Sequence, residues 1–296
     1  MNAKPLTVEV VTPQTSVRVA TKEQTKVIAL GDVHVPFHDA AAFDLFLQVA
    51  KTVRPSALII AGDFIDFYAI SRFVRTPERR LLLAEEIRQA KELIKTLDKS
   101  FPKAEKIFMC GNHELRLKHY LYTKAPELAM LPELELQRLL GLENWHFLDY
   151  QDYPQPVQSD TAPTVYLGDL IVQHGGRMGI SGSAVNTARC IFLRTLKNIL
   201  TFHYHHFSQY LQMDYTGSIR GAWVIPCLCL PRPHYDDARM WAQGFAVIEL
   251  YPDNSFRVTP VIFINKDGIV MANYEGKQFE IRRDEYVRQK SGDNRA

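Results

Sequence analysis

The chain has 296 residues, 46% hydrophobic and 23% charged, the proportions of an ordinary soluble globular protein. Thirty-five Lys and Arg against 33 Asp and Glu leave a net charge of +2, which argues for neither nucleic acid nor membrane, so any basic patch must be local. No apolar run is long enough to span a bilayer and no signal-type run precedes Lys26, which predicts a cytoplasmic protein with no membrane partner.

Residues 1–26 are rich in Thr and Val without a helical period and read as an N-terminal arm or an edge strand. Three apolar runs follow, each ending in glycine and then polar residues. Val27-Ile28-Ala29-Leu30 leads into Gly31-Asp32-Val33-His34, and Leu58-Ile59-Ile60-Ala61 into Gly62-Asp63. Ile107-Phe108-Met109-Cys110 leads into Gly111-Asn112-His113-Glu114. Such runs suit strands of a parallel sheet buried on both faces. Between the first two, Asp39 is a predicted N-cap for a helix with Phe43, Phe46, Leu47 and Ala50 on its buried face. Between the second and third, Thr76-Pro77 is expected to start a long helix with the stripe Leu83, Ile87, Ala90, Ile94 and Leu97, and Pro102 ends the connection. The order is βαβαβ, which implies right-handed crossovers and a parallel core.

From His113 to Leu142 helix is expected, broken at Pro126 and Pro132. The second half is strand-rich. Val165–Leu167 and Leu170–Gln173 flank the turn signal Gly168-Asp169, a helix fits Gly182–Lys197, and Ile199–Phe202 reads as a short strand. Strands are predicted at Trp223–Leu230, Phe245–Leu250 and Phe256–Phe263, with a further hairpin turn at Lys266-Asp267-Gly268. Residues 27–281 read as one domain and 282–296 as a charged tail. The four cysteines form no CxxC pair; Cys110 and Cys190 lie among apolar neighbours, and reduced, buried thiols are expected.

In an open α/β sheet, ligands bind outside the carboxyl ends of the strands, so Asp32, His34, Asp63, Asn112 and His113 should arrive at one edge. His174 closes Leu170–Gln173, and His203-Tyr204-His205-His206 follows Ile199–Phe202; residues two apart on extended chain share a face, which lets His203 and His205 point together. Taken singly, an Asp after a strand is a turn former or helix cap, and His174 a satisfied core histidine. Together they make a metal site. Carboxylates, imidazoles and one amide suit Mn²⁺, Fe or Zn²⁺ better than Ca²⁺. A bridging carboxylate can hold two ions about 3.5–4 Å apart, the spacing of two-metal phosphoryl-transfer sites.

The blocks GDVH at Gly31–His34, GDFID at Gly62–Asp66 and GNHE at Gly111–Glu114, followed by His174-Gly175 and His203-Tyr204-His205, resemble the calcineurin-like metallophosphoesterases in content and order over Val27 to Leu250. The resemblance implies an α/β fold, a four-layer αββα sandwich with a dinuclear site at its edge. Asp32, His34 and His205 would hold one divalent ion and Asn112, His174 and His203 the other, with Asp63 bridging. His113 would protonate the leaving oxygen and Asp66 would pair with it. Two departures stand out: many members read GHTH where this chain has Phe202-His203-Tyr204-His205, and Asp66 is followed by Phe67-Tyr68 rather than the Arg-Gly of protein Ser/Thr phosphatases. The implied reaction is phosphate-ester hydrolysis by a metal-activated hydroxide, with Mn²⁺ first among the metals and Fe, Zn²⁺ or Ni²⁺ as alternatives.

Arg116 and Arg177 each closely follow a ligand block and are the candidate substrate contacts. Arg72, Arg75, Arg79 and Arg80 form a basic run after the second block, either a solvated helix start or a phosphate attractor. His38, His119, His146 and His234 read as surface or supporting groups, and His206 as either a substrate contact or a solvated side chain. With Tyr68 and Tyr204 near the ligands, the arginines favour a phosphodiesterase on nucleotides or nucleic acid over a broad phosphomonoesterase. The third alternative is a non-catalytic metal-binding scaffold; such a relative would be expected to lose a ligand or the catalytic histidine, and this chain keeps both. The sequence carries no signal for oligomeric state.

Overall fold

The computed structural model describes residues 6–12, 14–72, 82–151, 161–181, 185–231, 241–284 and 286. Its organising element is a sheet in which β3 (Thr25–Leu30), β4 (Ala57–Ala61), β5 (Glu105–Met109) and β6 (His146–Leu148) run parallel. On the other side of β3, β12 (Gly244–Leu250) and β13 (Phe256–Ile262) add antiparallel, giving the order β13-β12-β3-β4-β5-β6. The alternation of a strand explains the unbroken apolar runs. Val27, Ala29, Ile59, Ala61, Ile107 and Met109 face one core, while Ile28, Leu30, Leu58, Ile60 and Phe108 face another. Leu30 lies opposite Ile60 and Ile60 opposite Phe108, so the three runs end level at one edge.

A second sheet covers the first core. Among the described residues its order is β1-β2-β7-β8-β9-β11-β10, from β1 (Leu6–Thr12), β2 (Ser16–Thr21), β7 (Thr164–Leu167), β8 (Leu170–Gln173), β9 (Asn198–Thr201), β10 (Ser208–Met213) and β11 (Ile219–Val224). Leu6, Val17, Val19, Val165, Val172 and Leu200 pack between the sheets. On the outer face of the first sheet lie α1 (Ala40–Val53) and α2 (Leu83–Ser100), and on that of the second α5 (Thr187–Thr195) packs Ile191 and Phe192 on Ile199 and Val224. The result is the four-layer αββα sandwich that the sequence implied. A third sheet of β14 (Ile264–Lys266), β15 (Ile269–Tyr274) and β16 (Lys277–Arg282) lays Val270 and Ala272 into the core beside α1.

Local signals account for most boundaries. Asp39 caps α1, its Oδ1 accepting from Ala41 N and Ala42 N at 3.1 Å each. The Asp267-Gly268 turn, with φ of 50° and 75°, closes β14 on β15, and Gly168-Asp169 closes β7 on β8. Between His113 and Leu142, α3 (Leu115–Lys124) and α4 (Leu136–Leu140) are separated by single turns at Pro126–Leu128 and Pro132–Leu134. The stretch read as an arm or edge strand contributes β1 and β2, with β2 parallel to β7. The strand expected over Trp223–Leu230 stops at Val224, because Pro226 has no N–H to continue the ladder; Cys227 and Cys229 make isolated bridges to Gln243 and His38 instead. The helix expected from Gly182 begins at Thr187, capped by Asn186, whose side chain accepts from Arg189 N. Gly182, the Thr76-Pro77 start and most of the charged tail lie outside the described residues. Cys190, expected to be buried, is exposed on α5, whereas Cys110, Cys227 and Cys229 are buried. Among the described residues no helix is long and apolar enough to cross a membrane.

Candidate metal centre

Five of the seven expected ligands occupy left-handed backbone: Asp32, His34, Asp63, His203 and His205 have φ of 51°, 52°, 50°, 75° and 56°. For non-glycine residues this costs on the order of 1–3 kcal/mol each, so the surroundings must enforce it. They do so through the backbone. Asp32 N donates to Gly62 O at 3.0 Å, His34 N to Asp63 O at 3.0 Å and Val35 N to Phe64 O at 2.9 Å, locking the first two loops together. Glu114 locks the second to the third. Its carboxylate, buried below α3, accepts from Asp63 N (2.9 Å), Phe64 N (2.8 Å), Ile65 N (3.2 Å) and Gly111 N (2.7 Å). Two glycines are required by close approach rather than by φ. A Cβ on Gly111 would lie 2.3 Å from Asp63 Oδ1, and one on Gly176 would lie 2.1 Å from Asn112 Oδ1.

The ligand atoms converge on two adjacent points. At the first, His205 Nε2 lies 3.2 Å from Asp32 Oδ1 and 3.2 Å from His34 Nε2, and His34 Nε2 is 3.7 Å from Asp32 Oδ1 and 3.9 Å from Asp63 Oδ2. At the second, His174 Nε2 lies 3.1 Å from Asp63 Oδ2 and 3.0 Å from Asn112 Oδ1, with His203 in the same group. Asp63 Oδ2 is common to both. Each inner imidazole spends its other nitrogen on an acceptor: His34 Nδ1 meets Asp66 Oδ2 at 3.1 Å and His174 Nδ1 meets Ala61 O at 2.9 Å. That fixes Nδ1 as the N–H and leaves the Nε2 lone pairs facing oxygens that are themselves acceptors. Asp32 Oδ1 is fully buried without a hydrogen-bond partner. Acceptors aimed at one another in a buried site are the arrangement that a cation satisfies, and the residues present fit a pair of divalent ions.

Burial and neighbouring charge set the proton affinities here. Burial opposes a charge on His34, but its contacts with Asp32 and Asp66 raise its pKa, so a cation arriving at these ligands takes the place of a proton. Burial opposes ionisation of Asp32 and Asp63, yet the imidazoles around them, His205 on Asp32 and His174 on Asp63, hold both carboxyls below the ordinary carboxylate range. Burial lowers His203 to about 4, and His174 beside it acts in the same direction; burial also lowers His205. His174 resists its own burial and stands at about 9, because it faces Asp63.

Beside the ligands, His113 N donates to Asp63 Oδ1 at 2.8 Å. Its Nδ1 faces Asp66 Oδ2 at 3.3 Å and Asp66 O at 3.1 Å, and its Nε2 is 3.8 Å from Asp63 Oδ2. Asp66 therefore stands between His113 and His34, within 3.3 Å and 3.1 Å of their Nδ1 atoms. Arg116 donates to Asp66 Oδ1 at 2.9 Å and Asp66 O at 2.8 Å, and its Nη2 lies 3.1 Å from His113 Nε2. It therefore braces the Asp66–His113 pair in addition to lining the mouth. Arg177 is exposed, 5.8 Å over the Tyr150 ring. Arg72, Arg116, Arg177, His113, His119 and His203 line a 460 Å³ cavity at the mouth.

The remaining candidates divide. His206 meets Thr187 Oγ1 at 3.0 Å and Tyr204 O at 2.9 Å, so it ties the ligand loop to α5. His146 lies 3.6 Å from Glu105. Arg75, Arg79, Arg80 and His234 lie outside the described residues. Sequence reasoning gave no role to Glu114, although it closes the GNHE block, and none to Trp241, whose ring stands edge-on to His205 at 4.0 Å. Only folding brings Trp241 there. It also did not foresee Cys227 and Cys229 grouped with His205.

Comparison with curated protein sequences gave no match. Among solved structures, the chain is similar to vacuolar protein sorting 29 from Cryptosporidium parvum, at 12% identity and a TM-score of 0.42, covering 88% of this chain and 97% of that one. It is similar to zinc-complexed Vps29 from Entamoeba histolytica at 13% identity and a TM-score of 0.37, with 87% and 97% covered. The phosphoesterase Yfce from E. coli aligns at 11% identity and a TM-score of 0.32, with 87% and 98% covered. A calcineurin-like phosphoesterase model matches residues 25–217, from the first ligand strand past the last imidazole cluster, and the chain belongs to that family of metal-dependent phosphoester hydrolases.

Proposed function

We propose that the protein is a dinuclear phosphodiesterase acting on nucleotides or nucleic acid, with Mn²⁺ as its working metal. The observation that carries this reading is the pair of acceptor clusters joined by Asp63 Oδ2, 3.1 Å from His174 Nε2 and 3.9 Å from His34 Nε2. Asp32, His34 and His205 would hold one ion and Asn112, His174 and His203 the other, with Asp63 placed to serve both. When bound, the ions supply Lewis-acid polarisation of the phosphoryl oxygens and a water of lowered pKa. The rest is the work of the chain. Arg72, Arg116 and Arg177 at the mouth attract and orient the phosphate, guanidinium being the group that matches its oxygens bidentately. His113 stands with Nδ1 against Asp66, while its Nε2 accepts from Arg116 Nη2 at 3.1 Å and lies 3.8 Å from Asp63 Oδ2. Nε2 is thus the position that exchanges, and once it takes up a proton in place of the Arg116 contact it is the atom that delivers that proton to the departing oxygen. Asp66 fixes the imidazole plane and Arg116 fixes Asp66. A cytoplasmic setting goes with this reading, in which Cys227 and Cys229 beside His205 stay reduced.

The test is a panel of monoester, diester and cyclic nucleotide substrates with Mn²⁺ supplied, together with metal content by elemental analysis. Two ions per chain and faster cleavage of bis-nitrophenyl phosphate or a nucleotide diester than of the matched monoester are expected. A single ion per chain overturns the dinuclear reading, and monoesters ahead by a wide margin with oligonucleotides untouched replace the phosphodiesterase with a phosphomonoesterase.

A further inference from the structure

Next to the mouth, and lined in part by the same loop of residues 174–177, a second cavity of about 590 Å³ opens between β7, β8 and the end of α5. Its size falls in the range of roughly 300–1,000 Å³ that small-molecule sites occupy. It is joined to the metal centre in two ways: His174 contributes to its wall, and Arg177 lines both cavities. Three cations reach it, Arg177 from the loop after β8 and Arg194 and Lys197 from the last turn of α5 and just beyond, while among the described residues no carboxylate lines it. All three are exposed, and none makes an ion pair with a described residue. Cations at the end of a helix suit the helix dipole and would alone mean little. Arg177 comes from a separate loop, however, and the convergence on one concavity of three cations with no ion pair among the described residues is not a product of helix propensity. Two aromatic rings share the wall. Tyr150 is buried with Arg177 over its face, and Tyr166 is half-buried. Cations and flat rings together are the chemistry that holds a phosphate and the base attached to it.

We propose that this second cavity is a distal subsite that takes a further phosphate, carried on a nucleoside, of a substrate whose scissile phosphate lies at the metal centre. Arg194 and Lys197 hold the outlying phosphate, the half-buried Tyr166 supplies the surface for the ring, and Arg177, resting over Tyr150, spans the two cavities. The proposal rests on the phosphodiesterase reading and narrows it: the preferred substrate carries at least two phosphates separated by a nucleoside, as an oligonucleotide or a nucleoside bisphosphate ester does. A simple sugar phosphate fills the mouth alone.

Calorimetric titration of the full chain, loaded with Mn²⁺, with adenosine 3′,5′-bisphosphate and with adenosine 5′-monophosphate tests this directly. The parent protein should bind the bisphosphate at least about tenfold more tightly, the order of one charge-assisted contact. The Arg194→Ala, Lys197→Ala double variant, changed only at exposed positions, should lose that preference, and Arg194→Lys should keep most of it. Equal affinity of the parent for the two ligands, or a preference that survives in the double variant, overturns the subsite. The readout is binding and needs no turnover. Preference for the bisphosphate without cleavage of any diester refutes the enzymatic reading and leaves the subsite, whereas diester cleavage without the preference refutes the subsite alone.

Discussion

In the proposed reaction Asp66 is the residue on which the proton chemistry would turn, because it meets His34, His113 and Arg116 at once. Burial opposes its charge, but contact with His113 and His34 keeps its carboxyl below the ordinary range, so it acts as a fixed anion and not as a proton donor. His113 is the group left to give the proton. His113→Ala should lower turnover by about 10²–10⁴-fold for a poor leaving group, and by less for nitrophenolate, which needs no proton. Metal content should be unchanged, since His113 touches the ligands only through its backbone N–H and ring edge. Steady-state rates across a leaving-group series decide it, and equal losses for good and poor leaving groups count against the role. Glu114 makes the other residue-scale prediction. Glu114→Gln replaces one acceptor oxygen with an amide donor and leaves two of the four N–H groups it serves facing no acceptor. At about 1–3 kcal/mol for each buried unsatisfied group, roughly 2–6 kcal/mol of stability should be lost, measurable by denaturant titration.

At the scale of elements, α2 is tied to the second ligand loop by one side chain. Glu86, fully buried, accepts from Tyr68 N at 2.9 Å and Ala69 N at 2.7 Å. Burial raises its pKa from 4.5 to about 7, with the Asp66 charge adding to the rise. The sign follows from which state holds the proton. The folded chain keeps Glu86 protonated over a range in which the unfolded chain has released the proton, so its contribution to stability is full below pH 4.5 and is lost as pH rises through about 7. Unfolding titrations of the parent and of Glu86→Gln should differ in slope across that window, the variant being flatter. Parallel slopes would show that Glu86 does not titrate there.

At the scale of the molecule, the two strands that precede the first ligand strand, β1 at the sheet edge and β2 inside it, belong to the core. Leu6, Val17 and Val19 are buried between the sheets, and β2 pairs with β7 from Ser16↔Thr164 to Val19↔Leu167. Burying each such side chain contributes roughly 1.5–3 kcal/mol, and the three together approach the net stability of about 5–15 kcal/mol typical of a domain. A chain beginning at Thr25 keeps every proposed ligand, yet it should be insoluble or unfolded by circular dichroism. Wild-type metal content in such a truncation would show that residues 6–21 are dispensable.

The sequence alone determined the features that are local or periodic. Alternation within doubly buried strands marked β3, β4 and β5, glycine at their exits marked the ligand loops, and Asp39, Gly168-Asp169 and Asp267-Gly268 marked a cap and two turns, since each is specified by residues adjacent in the chain. The candidate ligand set was legible for the same reason: each block sits where its own strand ends. Only the tertiary structure decided what depends on distant segments meeting. It brought Glu114 under three backbone N–H groups some fifty residues away, Trp241 onto His205, and Arg177, Arg194 and Lys197 around one cavity. It drew Arg116 onto Asp66 as well as toward the mouth, and ended the strand before Pro226 where spacing had run it on to Leu230. Contacts of that kind are set by sheet order and loop path, which no window of sequence contains.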